Sequence, residues 1–144
     1  MNIFDKYPYI VIEGPIGCGK STLASLLAQK YRATIFNEKA ERNPFLPKFY
    51  EDMKHYSLPT QLFFLFQRAN QLEDLKQKDF FRKGVVADFF LQKDPIFARL
   101  NLDDEEFKLY QQIYRHLQLK APVPDLVIYL QTPVDLLRKR VEKR

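Results

Sequence analysis

The chain has 144 residues, 46% of them hydrophobic and 28% charged, with a formal net charge of +5, a single cysteine and no tryptophan. A chain of this size buries about 70% of its unfolded surface, so a single globular domain over residues 1–144 with a proper core is expected. No apolar run approaches the about 20 residues of a membrane helix, and the N-terminus lacks a signal peptide's apolar segment. A lone Cys18 excludes an internal disulfide, which fits a cytoplasmic, reducing setting.

Taken in chain order, Tyr9–Glu13 is a continuous apolar run of the kind found in a strand buried on both faces of a parallel sheet. Ser21–Tyr31 reads as a helix, and Thr34–Phe36 as a short second strand ending at Asn37-Glu38. Asn43-Pro44 opens a helical segment over Phe45–Met53. Pro59-Thr60 then starts a long helix with Leu62, Leu65, Phe66, Ala69 and Leu72 at helical spacing. Gly84–Asp88 is a third buried strand, and Asp103–Glu106 loads acid into the first turn of another helix, where the macrodipole favours it. Pro124-Asp125 precedes a strand over Leu126–Leu130, and Pro133 opens a last helix. Strands alternating with helices predict right-handed crossovers and an α/β fold of three layers, a parallel sheet flanked by helices.

Between the first strand and its helix lies Gly14-Pro-Ile-Gly-Cys-Gly-Lys-Ser21, which satisfies the phosphate-loop pattern in its required strand-loop-helix context. Gly14, Gly17 and Gly19 bring bare backbone close to a ligand, and Cys18 is a small residue of the same loop. The loop amides and the helix N-terminus, with Thr22 beside it, converge on phosphate oxygens. Lys20 reaches the β- and γ-phosphates of a nucleotide such as ATP, and the Ser21 hydroxyl takes a place on Mg²⁺.

Ligands of open α/β sheets sit beyond the carboxyl ends of the strands, where Glu13, Glu38 and Asp88 fall. Glu13 reads as structural. Glu38 would face the cleft and take a proton from an attacking hydroxyl, whereas Asp88 is placed to hold Mg²⁺ directly or through water. On the long helix, Gln61 and Arg68 are seven residues, hence two turns, apart on an otherwise apolar face. Such a pair can read a flat heterocycle by hydrogen bonds. Phe49, Phe63, Phe64 and Phe66 could wall that pocket, although spacing alone favours core packing for them. The basic cluster Arg138–Arg140 and Lys143-Arg144 sits on the last helix; with a phosphate loop present, gripping polyphosphate explains it better than gripping nucleic acid. No aromatic-basic interleaving of the single-strand binders is present.

The phosphate loop, Glu38, Asn43-Pro-Phe-Leu-Pro-Lys-Phe-Tyr50 and Gln61-Leu-Phe-Phe-Leu-Phe-Gln-Arg68 together resemble the deoxyribonucleoside kinases, P-loop proteins, and most closely the bacterial deoxyadenosine and deoxyguanosine kinases. The likeness continues through Val85–Asp88, Lys93-Asp94, Ile96–Ala98 and Tyr129–Gln131. It implies that Glu38 is the general base for the nucleoside 5′-hydroxyl and that Tyr50 binds the sugar 3′-hydroxyl. It also implies that Gln61, Arg68 and, allowing a one-residue gap, Asp94 read the base. Asp88 falls on the acid of the family's Glu-Arg-Ser motif near Mg²⁺, and Arg140 and Arg144 match lid arginines that clamp the transferring phosphoryl group. Family members are usually dimers.

Two departures stand out. Phe89 occupies the place of the motif's arginine, leaving Lys93 or a lid arginine to substitute. The family also continues past the position of Arg144 with the rest of the lid, a helix bearing a second 3′-hydroxyl-binding carboxylate, and a last strand. The expectation is therefore of a C-terminally shortened kinase that phosphorylates a deoxynucleoside, a purine one by resemblance, with ATP and Mg²⁺. The alternatives are a thymidylate-type monophosphate kinase and a nucleotide-binding remnant with little activity.

Overall fold

The computed structural model describes residues 2–15, 17–77, 83–118 and 121–143. Along the chain run α1 (Ile3–Lys6), β1 (Tyr9–Glu13), α2 (Lys20–Tyr31), β2 (Thr34–Phe36), α3 (Leu46–Glu51), α4 (Met53–Gln77), β3 (Val85–Ala87), α5 (Asp94–Asn101), α6 (Asp104–Gln118), β4 (Leu126–Tyr129) and α7 (Val134–Glu142). Single 3₁₀ turns lie at Ala40–Arg42 and Leu91–Lys93. The chain divides into two compact units. One comprises the described residues of Met1–Glu38, Lys78–Phe90 and Val123–Arg144, and the other those of Lys39–Gln77 and Leu91–Pro122.

The first unit is a parallel sheet in the order β2-β3-β1-β4. Tyr9 stands opposite Val85, and Ile10 opposite Leu126. All five residues of β1 and all three of β3 are buried, as their unbroken apolar character predicts. Alternation along β1 puts Ile10 and Ile12 on one face, where they pack with Phe4, Val86 and the small residues Ala24 and Ala28 of α2. One helical turn separates the two alanines, and their size lets α2 lie close to the sheet. Gly84 leads into β3 with φ +96°, and a Cβ there would meet the Phe4 side chain at 2.6–2.8 Å, so no larger residue fits. At the sheet edge, β4 alternates between half-buried and exposed residues. It is pinned by Asp125, whose N–H donates to the Tyr9 carbonyl (2.8 Å) and whose carboxylate accepts from the Tyr9 N–H (2.8 Å).

Helix α1 has no counterpart in the sequence reading. Its four residues are too few to show a period, but Asn2 and Asp5 form a capping box around it.

The second unit is helical. Its longest helix, α4, begins at Met53, six residues before the predicted start, and carries Pro59 inside it. Asp52 starts it by accepting from the His55 N–H (3.3 Å). Pro59, the seventh residue of α4, has no N–H to donate to the His55 carbonyl, so the helix carries it at the cost of one intrahelical bond. Buried positions along α4 are Ser57, Thr60, Gln61, Leu65, Ala69, Leu72 and Leu75, whereas Phe66, expected on the same stripe, is 43% exposed. Five of the six residues Gln61–Phe66 being Leu or Phe on neighbouring faces, only packing selects which face is covered.

Helix α5 was not anticipated over Asp94–Asn101. Helix α6 bears out the acid-rich start: Asp103 accepts from the Glu106 N–H (2.8 Å) and Glu106 from the Asp103 N–H (3.2 Å). Asn43 is 2% exposed, donates to the Thr60 carbonyl (3.1 Å) and accepts from the Phe45 N–H (3.0 Å), so it ties the entry of α3 to α4. Among the described residues no helix is long and apolar enough to cross a membrane.

Candidate functional site

The phosphate loop leaves β1, which lies between β3 and β4. From β1 the chain goes out to β2 on one side, and from β3 it crosses to β4 on the other. The loop therefore starts at the point where the connections diverge, the place where open α/β sheets bind ligands. Gly14 has no room for a side chain, since a Cβ would come 2.5 Å from Cys18 Sγ and 2.9 Å from the Leu130 carbonyl. Gly17 and Gly19 have φ of +84° and +96°, and Gly19 is the N-cap of α2. Cys18 is buried, and its N–H donates to the Pro15 carbonyl (3.1 Å), which tightens the loop. Ser21 and Thr22 are exposed in the first turn of α2, where helix N–H groups lack internal partners.

Glu13 organises the start of this loop. It is 7% exposed, accepts from the Gly14 N–H (2.8 Å) and lies 3.7 Å from Lys20 Nζ. The structural part expected of it is what it plays, and it also holds the Lys20 ammonium over the loop.

Asp88, just past β3, joins two further groups. Its Oδ2 accepts from the Ser21 hydroxyl (2.9 Å) and its Oδ1 from the Glu38 N–H (2.8 Å). The metal-side serine and the segment carrying the expected base are thus fixed by one carboxylate. Glu38 itself is exposed at the end of β2. Ser21 and Asp88 are hard oxygen donors joined by a hydrogen bond, the ligand type that Mg²⁺ takes in ones and twos while completing its shell with phosphate and water.

Burial pushes the Asp88 carboxyl above its ordinary value of 3.8; the Ser21 hydrogen bond and the Lys20 charge oppose the shift, while Glu13 adds to it. The native state therefore holds this proton more tightly than the unfolded chain does. Below about pH 4 both states are protonated, and burial exacts no electrostatic penalty. As pH rises through the native value the penalty develops. In urea melts from pH 3 to pH 8, the stability difference between Asp88→Asn and wild type is expected to move in the variant's favour as pH rises. A difference that stays flat across this range would show that burial does not raise the Asp88 carboxyl.

Arg140 of α7 donates from Nη1 to the Gly17 carbonyl (2.9 Å), which places this predicted lid arginine at the phosphate loop. Arg144, its expected companion, lies outside the described residues. Phe89, which the resemblance sets against a motif arginine, is an apolar core residue, 3% exposed. Lys93, one suggested replacement, belongs to the second unit, where its Nζ lies 5.4 Å from the centre of the Phe97 ring.

The second unit holds the residues expected to bind a nucleoside. Asp94 opens α5 and is 1% exposed, with Pro95 in the first turn. Its Oδ1 pairs with Arg68 Nη1, and its Oδ2 accepts from the hydroxyl of Tyr110 on α6. The Arg68 guanidinium lies 5.2 Å from the centre of the Phe64 ring, so one predicted aromatic wall is a cation–π partner. Burial raises the Asp94 carboxyl, against the Arg68 charge and the hydrogen bonds from Tyr110 and Arg68. Burial and the neighbouring Asp94 push the Tyr110 phenol far up, so it stays a donor.

Gln61, two turns before Arg68 on α4, is 7% exposed, and Tyr50 is 73% exposed with its ring 5.7 Å from that of Phe49. Tyr110 was missed by sequence reasoning. The only signal was Tyr110 and Tyr114 at i, i+4 on α6, which by spacing reads as core. Their rings stack at 6.2 Å.

The two sets of residues match known proteins over nearly the whole chain. A family model described as deoxynucleoside kinase matches residues 10–144. The deoxyguanosine kinase of Bacillus subtilis is 42% identical over 139 residues, covering 95% of this chain and 67% of the relative. The deoxyadenosine kinase of Lactobacillus acidophilus is 34% identical, with 94% and 66% covered. The chain thus spans about two thirds of the length of these curated relatives. Among solved structures, the deoxyadenosine kinase of M. mycoides with bound dATP superposes with a TM-score of 0.79 at 30% identity, over 94% of this chain and 71% of that one. The same enzyme with bound dCTP gives 0.76. These likenesses support the α/β fold with a helix-flanked parallel sheet and lend none to a thymidylate-type kinase. With a phosphate loop whose lysine, serine and carboxylate are already joined by hydrogen bonds and charge, the chain belongs to the deoxynucleoside kinase family.

Proposed function

We propose that this protein transfers the γ-phosphoryl group of ATP to the 5′-hydroxyl of a purine deoxyribonucleoside. The observation that supports this most is Asp88, which holds the Ser21 hydroxyl and the Glu38 backbone on its two oxygens next to the phosphate loop. Phosphoryl transfer needs positioning and charge more than covalent chemistry, and this arrangement supplies both. Backbone N–H groups of Gly17 and Gly19 and the α2 N-terminus at Thr22 bind phosphate oxygens, while Gly14 and Cys18, whose N–H groups bond Glu13 and the Pro15 carbonyl, hold the loop in shape. Lys20 and Arg140, with Arg144, offset charge on the transferring group. Ser21 and Asp88 would hold Mg²⁺, which when bound neutralises charge between phosphate oxygens. Glu38 takes the proton of the attacking hydroxyl.

In the helical unit, Tyr50 binds the sugar 3′-hydroxyl, and Gln61, Arg68 and Asp94 read the base. Purine preference follows from the named relatives, most of which are deoxyguanosine or deoxyadenosine kinases. A screen of ATP-dependent phosphorylation over the four deoxynucleosides and their monophosphates tests the proposal. Turnover of deoxyadenosine or deoxyguanosine is expected. Turnover of monophosphates alone, or of no acceptor, would overturn it.

A further inference from the structure

We infer that Tyr110 is a positioning residue for nucleobase recognition, acting through Asp94 on Arg68; this rests on the functional reading above. Three helices of one unit contribute one group each: Arg68 from α4, Asp94 from the first turn of α5 and Tyr110 from α6. Tyr110 and Asp94 are 0% and 1% exposed. The carboxylate is held at both ends, Oδ1 by the guanidinium and Oδ2 by the phenol.

A carboxylate held at one oxygen can swivel about its last torsion, because terminal sp³–sp² torsions are broad. A second donor at the other oxygen stops that. Arg68 is planar, and the direction of its N–H fork follows the plane of the carboxylate it meets. The guanidinium also lies over the Phe64 ring, 5.2 Å from its centre, so its face and one edge are both fixed. Base recognition depends on the angle at which such a fork meets a heterocycle edge. A phenol that never touches the base can therefore govern which base is accepted.

The placement of Tyr110 is itself overdetermined. Its ring is stacked between Phe107 at 6.1 Å and Tyr114 at 6.2 Å, with interplanar angles of 11° and 17°. Packing alone would be served by phenylalanine at this depth. The hydroxyl adds a buried polar group, a costly choice in a core unless it is used.

The test is to measure kcat and KM for all four deoxynucleosides, and KM for ATP, with wild type and Tyr110→Phe, using Tyr114→Phe as the control. Tyr110→Phe is expected to raise KM for the preferred deoxynucleoside about tenfold, as loss of one hydrogen bond to a charged group would, and to compress kcat/KM ratios between bases. KM for ATP stays within about twofold, and Tyr114→Phe keeps the wild-type ratios. Should Tyr110→Phe not fold, Tyr110→His, which keeps a ring at this position but removes the phenol that donates to Asp94 Oδ2, is expected to compress the ratios likewise. Unchanged base ratios in the folded variant, with only a lower melting temperature, would overturn the inference alone. A wild-type protein inert toward all four deoxynucleosides would overturn the functional reading, and this inference with it.

Discussion

Glu38→Gln is expected to lower the rate of phosphoryl transfer by about 10²–10⁴-fold, the usual contribution of a positioned general base, while ATP affinity stays close to wild type. The substitution keeps the size of the side chain and its ability to accept a hydrogen bond, but removes its ability to take a proton. The link from Glu38 to Asp88 runs through the Glu38 backbone N–H (2.8 Å), so the change of side chain leaves Asp88 and the Ser21 hydroxyl in place. Lys20, Glu13 and the loop glycines are untouched, and those are the groups assigned to ATP. Single-turnover kinetics separates the two quantities, with ATP affinity taken from a binding titration. Turnover within a few-fold of wild type would remove Glu38 from proton transfer.

Asp94→Ala is expected to destabilise the protein by about 3–5 kcal/mol, the usual loss when one member of a buried ion pair is removed. The reason is the charge left behind. The Arg68 side chain is 12% exposed, and that of Asp94 is fully buried. Without the carboxylate, the guanidinium retains little solvent to replace it, and the Tyr110 hydroxyl loses its acceptor in a region of 0% exposure. Removing both charges with similar apolar volume, as in Arg68→Met with Asp94→Leu, is expected to recover much of that loss, since the pair itself adds little net stability. The two positions touch, so their effects will not add. Urea denaturation of the two singles and the double measures the coupling. A loss below about 1 kcal/mol in Asp94→Ala would mean that water reaches Arg68 more freely than its burial indicates.

The parts of the fold legible from the chain alone share one property: a local signal strong enough to survive any packing. Strand β1 is an unbroken apolar run and is found with the boundaries expected. Helix α6 announces itself by Asp103 and Glu106, whose capping contacts depend only on residues three apart. The phosphate loop is likewise local, because its glycines are dictated by backbone shape and close approach. Helix α4 shows the limit. Pro59 imitates a helix start, while the real start at Asp52 rests on one capping bond that a reader of propensities passes over. Helix α5 and the 3₁₀ turn before it carry no clear period, being short and framed by Lys93, Asp94 and Pro95.

The sequence by itself thus determined that Gly14–Ser21 is a phosphate loop between a strand and a helix, and, through resemblance, which residues are expected to face a nucleoside. It named Glu38, Asp88, Arg68 and Asp94 one by one. Only the tertiary structure decided how they are joined, because hydrogen bonds between residues 67 and 50 positions apart, Ser21 to Asp88 and Glu38 to Asp88, leave no local trace. The same holds for Tyr110. Its spacing marks it as core, which it is, and only the convergence of α4, α5 and α6 turns its hydroxyl toward a buried carboxylate.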